Sequence, residues 1–148
     1  VNWLNRIQDA IDQKNQAAEE ARRAEEKKSQ DEQNARAVSA RVIQQIVAPT
    51  FRRAAQKLIE NKQWADVPML EGPNGPIVEI RWGTRKPAVF PDHSYYDAVV
   101  FSILSVGEIE AKYADAGEAF EAIVLPDQIT TEWVENLLGD KISQSFGK

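Results

Sequence analysis

The chain has 148 residues, a formal net charge of −5, 28% charged and 43% hydrophobic side chains, and no Cys. That length fits one domain; the lack of Cys excludes disulfides, thiolate metal sites and cysteine nucleophiles, and no apolar run approaches the roughly 18 residues a membrane-spanning helix needs. These features describe a soluble chain with a lean to a cytoplasmic setting, and Val1 in place of an initiator Met leaves room for a processed or preceding segment.

The first turns set Trp3, Leu4, Ile7 and Ile11 at spacings of three and four, which places them on one helical face. From Asp12 to Ala37 the only apolar side chain is Ala, and six basic and seven acidic residues share the span with no Gly or Pro. Ala, Gln and Glu give it high helix propensity, yet it has no oily face with which to build a core. Continued in heptads, the register of Leu4, Ile7 and Ile11 meets large apolar residues again only at Val42 and Ile46, so a coiled coil along its whole length is poorly supported. Local pairs such as Glu19 with Arg23, Glu32 with Arg36 and Glu25 with Lys28 each contribute about 0.2–0.5 kcal/mol. The span is therefore expected to fray near Lys27 to Asn34 unless something covers it.

Beyond Val38 the pattern becomes that of a docked helix, with Val42, Ile43, Ile46, Val47, Phe51, Ala54, Leu58 and Ile59 in helical register. Pro49 interrupts this stripe without shifting its phase, which predicts a kink or short break and a restart at Thr50. Glu71-Gly72-Pro73-Asn74-Gly75-Pro76 is the densest turn signal in the chain. Ile77 to Trp82 then alternates as a half-buried strand, with Val78, Ile80 and Trp82 opposing Glu79 and Arg81.

Ala98 to Val106 is apolar on both faces and suits a central strand, with a helix starting after Pro91 as the competing assignment. Glu108 to Ala114 alternates cleanly and turns through Asp115-Ala116-Gly117 into a partner strand, Glu118 to Leu125. Thr130 is placed to cap a last helix, with Glu132 in its first turn and Ile129 stapling onto Val134. Trp133, Val134, Leu137, Leu138 and Ile142 form its apolar stripe, which Gly139 weakens.

The expected fold is α+β: a long N-terminal helix kinked at Pro49, a three- or four-stranded antiparallel meander, and a C-terminal amphipathic helix on the same sheet face. Residues 1–37 form a polar helical arm and residues 38–148 the α+β domain. The opposite sheet face, with Glu79, Arg81, Glu108, Glu110, Lys112 and Glu121, is left for solvent or a partner.

Charge is uneven along the chain. Five basic residues against one acidic give +4 from Arg41 to Lys62, and six basic against fourteen acidic give −8 from Gln63 onward. An acidic body argues against broad nucleic-acid binding. Projected on a helix, Arg41, Arg52, Arg53 and Lys57 do not form one basic stripe.

Chemistry is sparse. The single His, His93, lies in Pro91-Asp92-His93-Ser94-Tyr95-Tyr96-Asp97, and a lone His with scattered carboxylates lacks the spacing of a metal site. A catalytic triad normally draws its members from separate elements rather than from neighbouring residues, which disfavours an enzyme built on this loop alone. The alternative is a small-ligand-binding or enzymatic α+β domain that uses the 91–97 loop, with His93, together with Arg81, Trp82 and Arg85 at a strand end, with an indole to stack a ring and cations to hold an anion. The preferred reading is a non-catalytic interaction or assembly module. It needs no cofactor and uses Trp3, Leu4, Ile7 and Ile11 to meet a protein partner or a second copy of itself, with a homodimer favoured.

Overall fold

The computed structural model describes residues 2–88, 96–114 and 119–147. Helix α1, Asn2–Val42, is unbroken, including the Lys27 to Asn34 stretch expected to fray. It passes through one π-helical turn, Ile43–Val47, into α2, Ala48–Glu60. Six strands follow: β1 Trp64–Asp66, β2 Met69–Gly72, β3 Gly75–Gly83, β4 Asp97–Ile103, β5 Ile109–Ala114 and β6 Ala119–Val124. A 3-10 turn at Pro126–Gln128 leads to α3, Thr131–Phe146.

Pro49 does not break the rod. It is the second residue of α2, which follows directly on the π turn, inside a continuous helical rod. The adjustment sits just before it: the Ala48 N–H donates to the Ile43 carbonyl, the five-residue spacing of a π turn. Thr50 Oγ1 donates to the Ile46 carbonyl at 2.7 Å in the same stretch. The stripe through Ile43, Val47, Phe51, Ala55 and Leu58 is buried, whereas Ile59, expected to share it, is exposed.

The sheet is antiparallel throughout, in the order β1-β3-β4-β5-β6, with β2 also paired to β3. The meander expected from the sequence is its β3 to β6 part; β1 and β2 add two short segments along one edge of the long strand β3. Pro68 separates them, and its carbonyl still accepts from the Glu79 N–H at 3.0 Å, so the ladder continues past the interruption. An edge tolerates proline because no second neighbour needs the missing N–H. Both segments escaped periodicity because neither is long or alternating: β2 is exposed at Met69, Leu70 and Glu71.

The predicted turn at Glu71 to Pro76 is a two-residue hairpin, with Gly72 opposite Gly75. Gly75 has φ +138°, a backbone conformation open to glycine, and the Cβ of any other residue would lie 2.8 Å from Ile103 Cδ1.

One sheet face carries the core. Val78, Ile80 and Trp82 on β3, Val99, Phe101 and Ile103 on β4, and Ile109, Ala111 and Tyr113 on β5 are buried against α2 and α3. Phe101 is the hub: its ring meets Phe51 edge-on at 5.5 Å and Trp133 at 6.0 Å, joining the sheet to both helices. Such edge-to-face pairs contribute about 0.5–1.5 kcal/mol beyond the burial itself.

Thr130 caps α3 as expected, accepting from the Trp133 N–H at 3.1 Å, and Ile129 and Val134 both lie in the core. Gly139 neither ends nor divides α3. A Cβ built there meets nothing within 4 Å, so Gly139→Ala is expected to stabilise the protein by about 0.5–1 kcal/mol through helix propensity alone. A higher urea midpoint at unchanged slope is the expected result, and a lower one contradicts it.

Candidate interaction site

Two anchors fix α1 to the body. Ser39, fully buried, donates its hydroxyl to the Gly107 carbonyl, and Arg36 Nη1 donates to the Ser105 carbonyl at 2.6 Å. Both acceptors belong to the turn joining β4 to β5, which is closed by Leu104 N–H to Glu108 O at 2.8 Å and Gly107 N–H to Leu104 O at 2.9 Å. The helix and this turn touch through glycine: Gly107 has φ +97°, and the site of a Cβ there lies 2.4 Å from Ala35 Cβ. Arg36 thus reaches across to the sheet rather than back to Glu32, the pairing its spacing suggested.

N-terminal to these anchors, α1 is held by its own side chains. Arg22 binds Glu19 and Glu26, with N···O distances of 2.5 and 2.6 Å, and Arg23 binds Glu19 at 3.2 Å. Gln8 with Asp12 and Gln30 with Asn34 add four-residue amide contacts at 2.9 and 3.0 Å. Each contact contributes a few tenths of a kcal/mol, enough to support an already propagated helix and far too little to nucleate one.

The Arg22 hydrogen bond holds the Glu19 carboxyl below its ordinary range, outweighing the small opposing effect of desolvation, with Arg23 adding to it. A depressed carboxylate supports the helix fully above its unfolded value and loses that support as pH falls through the folded one. Arm helicity is therefore expected to decline slightly on acidification through the glutamate range. Circular dichroism of the intact protein should show that decline abolished by Glu19→Gln; a decline of equal size in that variant would assign it elsewhere.

At the far end of this helix the four predicted contact residues are together and uncovered. Trp3 is 63% exposed, Leu4 55%, Ile7 48% and Ile11 47%, all on one face. At about 1.5 Å per residue they lie roughly 36–48 Å from Ala35 along the rod. The result is a long polar shaft with an oily end.

Of the alternative ligand residues, Arg81, Trp82 and Arg85 are among those described, and they do not share one exposed face. Trp82, expected to present its indole, is fully buried in the core and stacks on Tyr113 at 6.3 Å, which corrects that assignment: the alternation of β3 turns it inward with Val78 and Ile80. Arg81, on the other face, binds Glu79 at 2.6 Å and lies 5.9 Å from the Tyr96 ring centre. Hydrogen bonding to Glu79 raises its pKa, with smaller contributions from Tyr96 and Asp66. Arg85 is exposed just beyond β3. His93, with the rest of the loop from Pro91 to Tyr95, lies outside the described residues.

The open sheet face neutralises much of its own charge. Besides Glu79 with Arg81, Lys112 binds Glu110 at 3.1 Å, and Lys112 stands opposite Glu121 across the β5–β6 pair. Among the described residues no group of three or more His, Asp or Glu side chains is arranged to hold a metal ion, and no helix is long and apolar enough to cross a membrane. The fold is of the α+β class, with a long N-terminal helix whose first turns are exposed. Comparison with protein-family models, curated proteins and solved structures finds no match to this chain.

Proposed function

We propose that the protein is a non-catalytic interaction and assembly module, in which the end of the α1 arm binds protein and most simply a second copy of this chain. The observation that carries this reading is the placement of Trp3, Leu4, Ile7 and Ile11: four large apolar side chains share one helical face, exposed, at the end of a shaft that offers them no surface to cover. Water penalises such a cluster, and burying each large apolar side chain is worth about 1.5–3 kcal/mol. Their setting also favours protein over lipid, because Arg6 and Lys14 are the only cations within the first 14 residues.

The shaft supports the same role. A helix rich in charge and free of oily residues stays hydrated along its length, so contact is confined to the end. Sedimentation equilibrium of the intact protein tests the reading: a dimer is expected, and a monomer persisting at high micromolar concentration overturns self-association.

A further inference from the structure

The helical layer on the core face of the sheet has two helices, α2 and α3, and between them runs a groove of about 350 Å³. Ala54, Leu58, Leu138 and Ile142 supply its apolar surface, and Gly139 leaves it open at mid-length. We propose that this groove receives the Trp3–Ile11 end of the arm from a second copy of the chain, each molecule inserting its arm into the other. The proposal rests on the self-association reading above and names the surface the arm end meets.

Three observations support that occupant. The first is reach: α1 is one unbroken helix of 41 residues that leads directly into α2, so the arm end cannot fold back onto its own groove without breaking the rod. The second is form. An apolar helical stripe laid between two helices makes a third member of the layer, at the usual interaxial spacing of about 8–10 Å, and a reciprocal exchange closes with two-fold symmetry instead of growing into a chain.

The third is charge. With the stripe facing down, Arg6 lies about 115° to one side of its centre and Asp12 about 125° to the other, at 100° per residue. The groove has the matching asymmetry: Arg53 and Lys57 on its α2 side, Glu135 on its α3 side. One direction of insertion sets Asp12 beside Arg53 and Lys57 and Arg6 beside Glu135; the reverse direction opposes like charges on both walls. The Arg53–Glu135 ion pair, 3.7 Å across and more than half exposed on both sides, is weak enough to exchange for these contacts.

The absence of Cys allows a direct test. Full-length Ile7→Cys and Gly139→Cys variants, each carrying one thiol, are mixed and treated with a short bismaleimide, and the linked peptides are mapped. Covalent dimers joined between positions 7 and 139 are expected, well in excess of 7-to-7 or 139-to-139 links. Predominant 7-to-7 linkage overturns the groove assignment while leaving self-association through the arms intact. A monomer by sedimentation that forms no link overturns both. As a second readout, Gly139→Leu, whose Cβ meets nothing within 4 Å, places a branched side chain in the groove and is expected to weaken dimerisation at least tenfold with unchanged circular dichroism. Unaltered dimerisation in that variant overturns the proposal.

Discussion

The double variant Leu4→Asp, Ile7→Asp is expected to sediment as a monomer at concentrations where the parent is a dimer, with the urea midpoint of the body unchanged. Both residues lie on the exposed stripe and outside the buried core, so their loss removes contact energy without opening a cavity. Two large apolar side chains per arm represent about 3–6 kcal/mol of burial, and each 1.4 kcal/mol is about tenfold in affinity. A shift in the dissociation constant of at least about a hundredfold should follow, before any cost of placing a carboxylate against an apolar surface. Asp lowers helix propensity by only some tenths of a kcal/mol per site, so the arm keeps its shape. A double variant that dimerises like the parent would remove the arm end from the interface.

Gly107→Ala is expected to act in the opposite way, destabilising the fold while leaving the exposed stripe intact. The φ of +97° is one that an L side chain rarely adopts, at a cost of about 1–3 kcal/mol. The new methyl would also be placed 2.4 Å from Ala35 Cβ and 2.9 Å from the Ala35 carbonyl carbon. Helix backbone cannot yield as a flexible side chain would, and overpacking of this kind adds about 1–3 kcal/mol. Relief requires α1 to lift from the turn, which also disturbs the Ser39 and Arg36 bonds to Gly107 and Ser105.

A loss of about 2–6 kcal/mol is large against the 5–15 kcal/mol typical of a whole domain. Denaturant unfolding measures it directly, and a change below about 0.5 kcal/mol would show that the helix and turn do not press on one another as described. Set beside Gly139→Ala, where the new methyl meets open space, the pair tests whether local room decides the sign of a glycine substitution.

Much of the architecture was legible along the chain. The alternation through Val78, Ile80 and Trp82 and through Ile109, Ala111 and Tyr113 matches two half-buried strands. Thr130 and Ile129 marked the start of α3, and the Gly- and Pro-rich run at residues 71–76 marked the hairpin. These signals are local: side-chain period and capping chemistry act within a few residues.

Other features had no local signature. β1 and β2 are strands only because β3 is long enough to hold both, and their own side chains are mostly exposed. Pro49 suggested a kink at its own position, but the helix absorbs it in the π turn just before it. The arm end was visible as an apolar face, whereas the groove between α2 and α3 was not, because its two walls come from segments some 80 residues apart.

By itself the sequence determined that residues 12–37 could form a helix but no core, since propensity and the lack of oily side chains are properties of the residues themselves. Only the tertiary structure decided that Arg36 binds the Ser105 carbonyl rather than Glu32, and that Gly107 must remain small. Each of those outcomes depends on atoms far away in the chain that meet once the sheet and the long helix have docked, and a local pattern carries no record of that meeting.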